Sequence, residues 1–270
     1  MKPARFDYVR AATLTEAHDV LAAEAGDAAV LAGGQSLLPL LSMRMARPKV
    51  VVDIMHAGLG SITIEDDAIR VGASARQAEL LAWPELSRHQ PLLAQALPWI
   101  GHWQTRARGT VCGSIALADP SAELPLVLAV LGGEIALSSK NGRRTLPADD
   151  FFTGLMSTER RDDELVEAVS FPCRRPGEGF AFREFARRHG DFAIVACAAV
   201  ARGDTVRLAV GGVADRPVVR DFDDPSEEAL AAFAGEFDAR DDLHATAVYR
   251  RNLVRRLGRI TIDEALRCRA

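Results

Sequence analysis

The stretch that decides the fold is Ala29-Val30-Leu31-Ala32-Gly33-Gly34-Gln35-Ser36-Leu37-Leu38. It passes from an apolar strand through a two-glycine turn into an apolar helix. In this geometry successive backbone N–H groups can face one anion, usually a phosphate. Glycine suits such a turn because it accepts a positive φ and has no Cβ to hold a ligand away from the backbone. Taken alone, the stretch favours a plain tight turn over a phosphate site.

The composition is that of a soluble globular protein. The chain has 270 residues, of which 48% are hydrophobic and 26% charged, and this length suggests two or three domains. A formal net charge of -4 argues against a nucleic-acid partner. The first residues lack the apolar region of a signal peptide, and no apolar stretch is long enough to span a bilayer. We therefore expect a cytoplasmic protein.

The four cysteines give no metal-binding pattern. Cys112, Cys173, Cys197 and Cys268 are widely scattered, and neither a CxxC pair nor a Cys/His cluster occurs. Cluster-binding proteins hold iron and sulfur through closely spaced cysteines. We therefore predict no metal site on this chain.

Residues 1–57 alternate between strand and helix patterns. Strands are predicted at 6–9, 28–31 and 49–54, and helices are predicted after Thr13 and over 36–45. Thr13 and Glu16 match a capping box, in which a hydroxyl and a carboxylate satisfy the first amides of a helix. The alternation indicates an α/β unit with a parallel sheet.

Two later sections have different patterns. In residues 58–173, β-hairpins are predicted around Asp66-Asp67 and Asn141-Gly142, together with buried helices. Residues 174–270 show three antiparallel strands followed by two helices. The arginines of the last helix predict a charged, solvated face, with an anion site as the alternative; they are Arg250, Arg251, Arg255, Arg256 and Arg259. The division is 1–57, 58–173 and 174–270.

A second glycine turn occurs at Thr110-Val111-Cys112-Gly113-Ser114. Like the first, it is followed by a small hydroxylic residue, and it lies in a different section of the chain. If both turns approach one ligand, their N–H groups and hydroxyls would share a diphosphate. The Rossmann spacing and the Walker lysine are both missing. From the residues alone, a dinucleotide site and structural turns remain equal alternatives.

At these motifs the sequence resembles the FAD-binding medium subunits of molybdenum hydroxylases, the xanthine dehydrogenase and carbon monoxide dehydrogenase family. Ala32-Gly33-Gly34-Gln35-Ser36-Leu37-Leu38-Pro39 is similar to the first flavin motif of that family. Residues 110–116 with 118–125 are similar to the second, and Arg187-Arg188-His189-Gly190-Asp191-Phe192-Ala193 is similar to a third element. The resemblance covers the whole chain in order.

The resemblance implies which residues bind the cofactor. Residues 29–36 and 110–114 would contact the FAD diphosphate. Glu123 falls where the family often has an acidic ligand on the ribose or adenine side. Val166 would pack against the flavin or the adenine, and Arg183 falls near a basic position of the family. No catalytic residue is expected on this chain.

The resemblance also implies a fold and an activity. The fold would be α/β (α+β), with the two-part FAD-binding fold of the vanillyl-alcohol oxidase (PCMH) type followed by a small α+β C-terminal domain. A large partner subunit would carry the molybdenum cofactor and oxidise the substrate. A small partner would carry two [2Fe-2S] clusters and pass electrons to FAD, which would deliver them to an external acceptor. A dimer of such heterotrimers is the expected assembly.

Two alternatives to this function stay open, and two residues depart from the family pattern: Cys112, and Gln35, which stands where carbon monoxide dehydrogenase relatives often have histidine. The alternatives are that the chain is a stand-alone flavin oxidoreductase or a non-catalytic subunit that has lost FAD. Cys112 stands where the family usually has the first glycine of its second motif, and a Cβ would be strained there if φ must be positive. We expect a bulky residue at Gly33 or Gly113 to remove the flavin and leave the fold intact.

Overall fold

The computed structural model describes residues 2–24 and 26–269. Its first part is a three-stranded parallel sheet with strand order β1-β3-β2, flanked by two helices. The elements are β1 (Asp7–Arg10), α1 (Leu14–Glu24), β2 (Ala28–Leu31), α2 (Leu37–Ser42) and β3 (Val50–Asp53). The predicted α/β unit with a parallel sheet is therefore confirmed.

Local sequence signals set the ends of these helices. The Glu16 amide donates to Thr13 Oγ1 at 3.1 Å, and the Glu16 carboxylate accepts from the Ala12 amide at 2.7 Å. This is the reciprocal arrangement that the capping box predicts, displaced by one residue on the carboxylate side. Helix α2 is shorter than predicted, because the chain turns at Arg44 with a φ of 60°.

The second part is a five-stranded antiparallel sheet with strand order β4-β5-β10-β6-β7. Its strands are β4 (Ile62–Glu65), β5 (Ala68–Gly72), β6 (Glu134–Ser139), β7 (Gly142–Pro147) and β10 (Leu165–Pro172), and a small hairpin adds β8 (Phe152–Gly154) and β9 (Ser157–Thr158). Both predicted hairpins form. Asp66 and Asp67 take φ values of 50° and 57°, which the twist of a tight hairpin requires.

Short helices connect these strands and cover the sheet. They are α3 (Gln77–Ala82), α4 (Leu86–His89), α5 (Pro91–Ala96), a 3-10 turn (Leu97–Trp99), α6 (Trp103–Arg106), α7 (Val111–Leu117), α8 (Glu123–Leu131) and α9 (Ala148–Phe151). Every residue of α8 is buried. A helix that is apolar all round can only lie inside the core, so α8 is packed on several sides.

The third part is a four-stranded antiparallel sheet, β11-β12-β13-β14, covered by two helices. Its elements are β11 (Glu178–Phe185), β12 (Val195–Arg202), β13 (Thr205–Gly211), β14 (Val218–Phe222), α10 (Glu227–Gly235) and α11 (Ala247–Arg267). Strand β14 was not predicted, and α11 extends ten residues beyond its predicted end. Gly258, the first residue of this extension, packs close to the third sheet and α10: a Cβ there would lie 3.3 Å from Leu208 Cδ2 and 3.7 Å from Leu230 Cδ2.

The prediction of a solvated arginine face on α11 is wrong for Arg250. Its guanidinium is buried and donates to the carbonyl oxygens of Ile194 (2.8 Å) and Gly212 (2.9 Å) and to the Asp242 carboxylate (2.5 Å). Buried cations need such partners, and here the carbonyls come from loops that the helix pattern does not reveal. Arg255 and Arg256 are exposed, as predicted.

Helix α8 connects the second and third parts. One core cluster joins its residues to the second sheet and also to Phe180 and Phe182 of β11 and to Ala198 of β12. The opposite face of the third sheet packs on α10 and α11 in a separate cluster. Among the described residues, no helix combines the length and apolar character needed to cross a membrane.

Candidate cofactor site

The two glycine motifs face each other across one cleft of about 410 Å³. The turn between β2 and α2 forms one wall, and the start of α7 forms the other. The ends of α8 and β10 close the cleft with Glu123 and Val166. Ligand sites in proteins typically enclose roughly 300–1,000 Å³ and lie between structural units, so the cleft has the size and position of a binding site.

The first wall is a row of unpaired backbone amides. Among the described residues, none accepts a hydrogen bond from the five consecutive N–H groups of Gly33, Gly34, Gln35, Ser36 and Leu37. Four of these residues are half-buried and Gln35 is exposed. Half-buried amides in folded proteins usually have a partner. A run of five donors beside a cleft is therefore suited to an anionic ligand with several oxygen atoms.

The two glycines of this wall have different roles. Gly34 takes a φ of 74°, the left-handed conformation that lets adjacent amides converge. Gly33 instead lies against the loop that leads into the second motif: a Cβ at Gly33 would lie 2.1 Å from the Arg108 carbonyl oxygen and 2.7 Å from Gly109 Cα. Gly33 thus allows the two motifs to come into contact.

The second wall is held by a side-chain cap. Thr110 is buried, and its Oγ1 accepts from the Gly113 amide at 3.1 Å. Cys112 lies within α7, outside the left-handed region, and its thiol donates to the Val71 carbonyl oxygen at 3.4 Å. A cysteine therefore fits here without backbone strain, and burial raises the pKa of its thiol to about 12. Ser114 lines the cleft one turn further on.

Two acidic side chains border the cleft between α7 and α8. Burial raises the pKa of Glu123 to about 7, although its position at the start of α8 favours the charged form. Burial also raises the pKa of Asp119, opposed by a hydrogen bond from the Ser121 amide at 2.9 Å. At neutral pH this edge of the cleft is therefore less negative than its two carboxyls suggest.

The cleft also contains a cation that the sequence did not indicate. Arg160 lines the cleft, and its Nη1 donates to the carbonyl oxygens of Arg161 and Glu164, each at 2.8 Å. Burial opposes ionisation of Glu164, but bidentate hydrogen bonds from Arg144 and one from the Arg161 amide outweigh it and lower its pKa. Glu164 is therefore paired with Arg144, while Arg160 can face a ligand.

Gln77 is a second residue that sequence reasoning missed. Its backbone N–H donates to the Gly109 carbonyl oxygen at 2.8 Å, and its side chain is buried at the cleft wall. Its Oε1 has no hydrogen-bond partner among the described residues. A buried acceptor without a donor costs stability, so a ligand donor at this position would satisfy it. A lone glutamine at the start of a helix carries no sequence signal for this role.

The structure brings thirteen of the sixteen predicted cofactor-binding residues to the cleft. They are Ala29, Val30, Ala32, Gly33, Gly34, Gln35, Ser36, Thr110, Cys112, Gly113, Ser114, Glu123 and Val166. Leu31 and Val111 lie beside the lining residues, and Val111 is buried in the core. Arg183 lies on β11 away from the cleft, where its guanidinium pairs with Glu264 of α11 at 2.8 Å.

A second, wider hollow adjoins the first. It measures about 860 Å³ and includes the third sequence motif at Arg187, Arg188 and Asp191. Phe192, which is exposed, lines both hollows, and the chain passes from one to the other between Asp119 and Pro120. The third motif therefore lies next to the cleft that the two glycine motifs line.

These features fit an FAD diphosphate and its attached groups. The unpaired amides and Arg160 supply donors and positive charge for phosphate oxygens. Gln77 Oε1 and the carboxyls of Asp119 and Glu123 can hydrogen bond with hydroxyl groups. Within residues 2–24 and 26–269, no three His, Cys, Asp or Glu side chains lie close enough to hold a metal ion.

Comparison with protein families identifies the first two parts of the chain. Residues 4–174 match the model of the "FAD binding domain in molybdopterin dehydrogenase". This range contains both glycine motifs and every residue named above as lining the first cleft except Phe192.

Curated relatives match the chain over most of its length. The nicotine 6-hydroxylase medium subunit of Paenarthrobacter nicotinovorans is 38% identical, covering 98% of this chain and 99% of that protein. The carbon monoxide dehydrogenase medium chain of Hydrogenophaga pseudoflava is 35% identical, covering 82% of this chain and 79% of that protein.

Solved structures share the whole fold. A carbon monoxide dehydrogenase chain from Hydrogenophaga pseudoflava superposes with a TM-score of 0.92 at 31% identity, and each chain is fully covered. A chain of quinoline 2-oxidoreductase from Pseudomonas putida 86 gives 0.89 at 32% identity, with 99% of each chain covered. The expected two-part FAD-binding fold is thereby confirmed.

Proposed function

The chain belongs to the FAD-binding medium subunits of the molybdenum hydroxylases, a family of oxidoreductases, and we propose that it is the electron-transfer subunit of such a complex. It would accept electrons from [2Fe-2S] clusters on a partner subunit and pass them through FAD to an external acceptor. The observation that carries this proposal is the row of five unpaired amides at 33–37, opposite Ser114 in the same cleft.

The chain's own residues would bind and orient the cofactor. The turn at 33–37 and Arg160 would hold the diphosphate, with Thr110 and Ser114 on the opposite wall. Val166 would contact a ring of the cofactor, and Gln77 Oε1 would accept from one of its donors. FAD when bound exchanges electrons singly or in pairs, which suits it to link one-electron clusters to an acceptor.

The partners and boundaries follow from the same proposal. The partners would be a large subunit with the molybdenum cofactor, where the substrate is oxidised, and a small subunit with two [2Fe-2S] clusters. Two such heterotrimers would associate in the cytoplasm. Residues 1–57 and 58–173 would form the two parts that hold FAD, and 174–270 the C-terminal domain. The three-, five- and four-stranded sheets each fall within one of these ranges, which supports this division.

A flavin-loading experiment tests the cofactor. The chain expressed alone should be yellow and should bind one FAD non-covalently, as measured by absorbance and by fluorescence titration. Ser114→Leu, which fills the cleft, should weaken FAD binding at least about tenfold, because an aliphatic side chain replaces a small polar one at the contact. Ser87→Leu is the matched control, since Ser87 lies exposed on α4.

The outcomes separate the proposed function from its alternatives. A chain that folds, remains colourless and takes up no FAD would support a subunit that has lost the cofactor. Substrate-dependent reduction of the flavin by the isolated chain would support a stand-alone oxidoreductase. Co-purification with chains that contain molybdenum and iron would support the subunit role.

A further inference from the structure

A second buried carboxyl lies behind the cleft wall. Glu184, on β11, is 8% exposed, and neither of its side-chain oxygens has a hydrogen-bond partner among the described residues. Most buried charged groups are paired with an opposite charge. Burying a carboxyl without such a partner costs less free energy when the group is neutral and protonated.

The strand alternation places Glu184 on the face of β11 that packs against α8. Phe180 and Phe182 of β11 belong to the core that contains α8, whereas Ala181 belongs to the core on the opposite face. Because alternate residues of a strand share a face, Glu184 lies on the α8 side. Glu123, the first residue of α8 and part of the cleft wall, is the charged neighbour that acts on it.

The other charged groups in this region are accounted for. Asp119 raises the pKa of Glu123, and Arg106 lowers it. The Arg106 guanidinium is engaged by backbone carbonyls, including those of Ile100 (2.7 Å) and Gly101 (2.9 Å). The nearby arginines of the third part are paired, Arg183 with Glu264 and Arg188 with Asp191. No cation among the described residues forms an ion pair with Glu123 or Glu184.

Burial and mutual repulsion act in the same direction on the two groups. Burial, with the charge of Glu123 adding to it, raises the pKa of Glu184 to about 8. Burial likewise raises the pKa of Glu123 to about 7. Two carboxyls that repel each other lose their protons in separate steps, so the first to ionise makes the second harder to ionise.

We propose that Glu184 is a positioning residue of the cofactor site, which keeps a proton beside Glu123 so that this wall carries at most one negative charge towards the bound dinucleotide. The inference rests on the proposed function, because it concerns how the chain holds FAD. The proton is useful because the diphosphate is itself negative. A doubly ionised pair would repel the cofactor in a site where little water is present to screen the charges.

The proposal makes FAD binding depend on pH. Bound FAD excludes water from Glu123 and brings negative charge, so both effects favour the protonated pair. Binding is then linked to proton uptake, and each proton taken up changes the Kd by roughly up to tenfold per pH unit. The isolated chain should therefore bind FAD progressively less tightly as the pH rises past 7.

The test is a fluorescence titration of the full chain with FAD at pH 6.5 and pH 9.0. In the wild type we expect the Kd to rise by about tenfold or more between these values. Glu184→Gln removes one ionisation without changing the side-chain shape, so its rise should be at least about threefold smaller. Its Kd should be lower than that of the wild type at pH 9.0. In Glu123→Gln/Glu184→Gln the dependence should be nearly flat.

Parallel pH profiles for the wild type and Glu184→Gln would overturn the proposal, because a purely structural role shifts the Kd equally at both pH values. Absence of FAD binding in every variant at both values would instead overturn the proposed function.

In that case, the stability of the cofactor-free chain still tests whether Glu184 is protonated. Glu184 has its pKa raised above the ordinary 4.5. Between pH 4.5 and about 8 the folded chain therefore keeps a proton that the unfolded chain has already released. Stability from this proton is complete below pH 4.5 and is lost as the pH rises to about 8. In urea unfolding, Glu184→Gln should gain stability relative to the wild type from pH 5 to pH 9. A difference that does not change with pH would contradict the proposal.

Discussion

Gly33 is in direct contact with the backbone of Arg108: a Cβ added to Gly33 would lie 2.1 Å from the Arg108 carbonyl oxygen. Backbone atoms cannot move aside as a flexible side chain can. This contact changes the expectation that a bulky residue at Gly33 would remove the flavin and leave the fold intact. The main role of Gly33 is to let the two cleft walls come into contact, and leaving space for a ligand is secondary.

We therefore expect Gly33→Ala to lower the free energy of unfolding by roughly 1–3 kcal/mol, the usual cost of an overpacked site, even without FAD. Urea unfolding of the cofactor-free chain measures this. Gly235→Ala is the matched control, because Gly235 lies in α10 with open space around its Cβ position. The control should be neutral or slightly stabilising. Equal stability of Gly33→Ala and wild type would contradict the contact.

Cys112→Gly should restore the residue that the family pattern usually has there, yet should cost stability. The thiol of Cys112 is buried against Val71, and glycine lowers helix stability, so we expect a loss of about 1–2 kcal/mol. FAD affinity should stay within about twofold, because the thiol donates to the core instead of a ligand. Unfolding and FAD titration measure the two effects, with the exposed Cys268→Gly as control. A tenfold gain in affinity would show that the thiol obstructs the cleft.

Arg160→Gln should weaken FAD binding by roughly tenfold, because a charged hydrogen bond to a phosphate contributes about 1.5–3 kcal/mol. Riboflavin, which has no phosphate, should bind the variant and the wild type equally. Arg160→Lys keeps the charge and should recover part of the FAD affinity. Equal losses for FAD and riboflavin would place Arg160 away from the diphosphate.

We expect His18 to lower the free energy of unfolding in mild acid. Its Nε2 lies 2.9 Å from Ser138 Oγ, linking α1 to β6, and burial lowers the pKa of His18 below the ordinary 6.5. A lowered pKa means that the unfolded chain binds the proton first. The stability from neutral His18 is therefore complete above pH 6.5 and is lost as the pH falls below it. His18→Gln should reduce the loss between pH 7.5 and pH 5.5 in urea unfolding, and an unchanged loss in this variant would contradict the role of His18.

The features predicted from sequence are those set by a few adjacent residues. The Gly33-Gly34 turn, the Asp66-Asp67 hairpin and the Asn141-Gly142 hairpin each depend on backbone conformations that few residue types adopt. Such signals are local, so a single sequence suffices to find them.

The features that were missed depend on contacts between distant segments. Gln77, Arg160 and Arg250 become informative only once the fold shows which of their atoms lack or have partners. Arg183 illustrates a further problem, because adjacent residues of a strand point to opposite faces. Arg183 faces Glu264, whereas Glu184 faces α8. A motif match cannot fix a position to within one residue.

Helix α8 belongs to a core that extends past the end of the matched family model. The family match ends at residue 174, but the core around α8 continues into Phe180, Phe182 and Ala198 of the third sheet. A fragment that stops at 174 would expose one side of an apolar helix to water. The family model and the folded core therefore divide this chain differently: the matched domain ends at residue 174, whereas the core that must melt together continues into the third sheet.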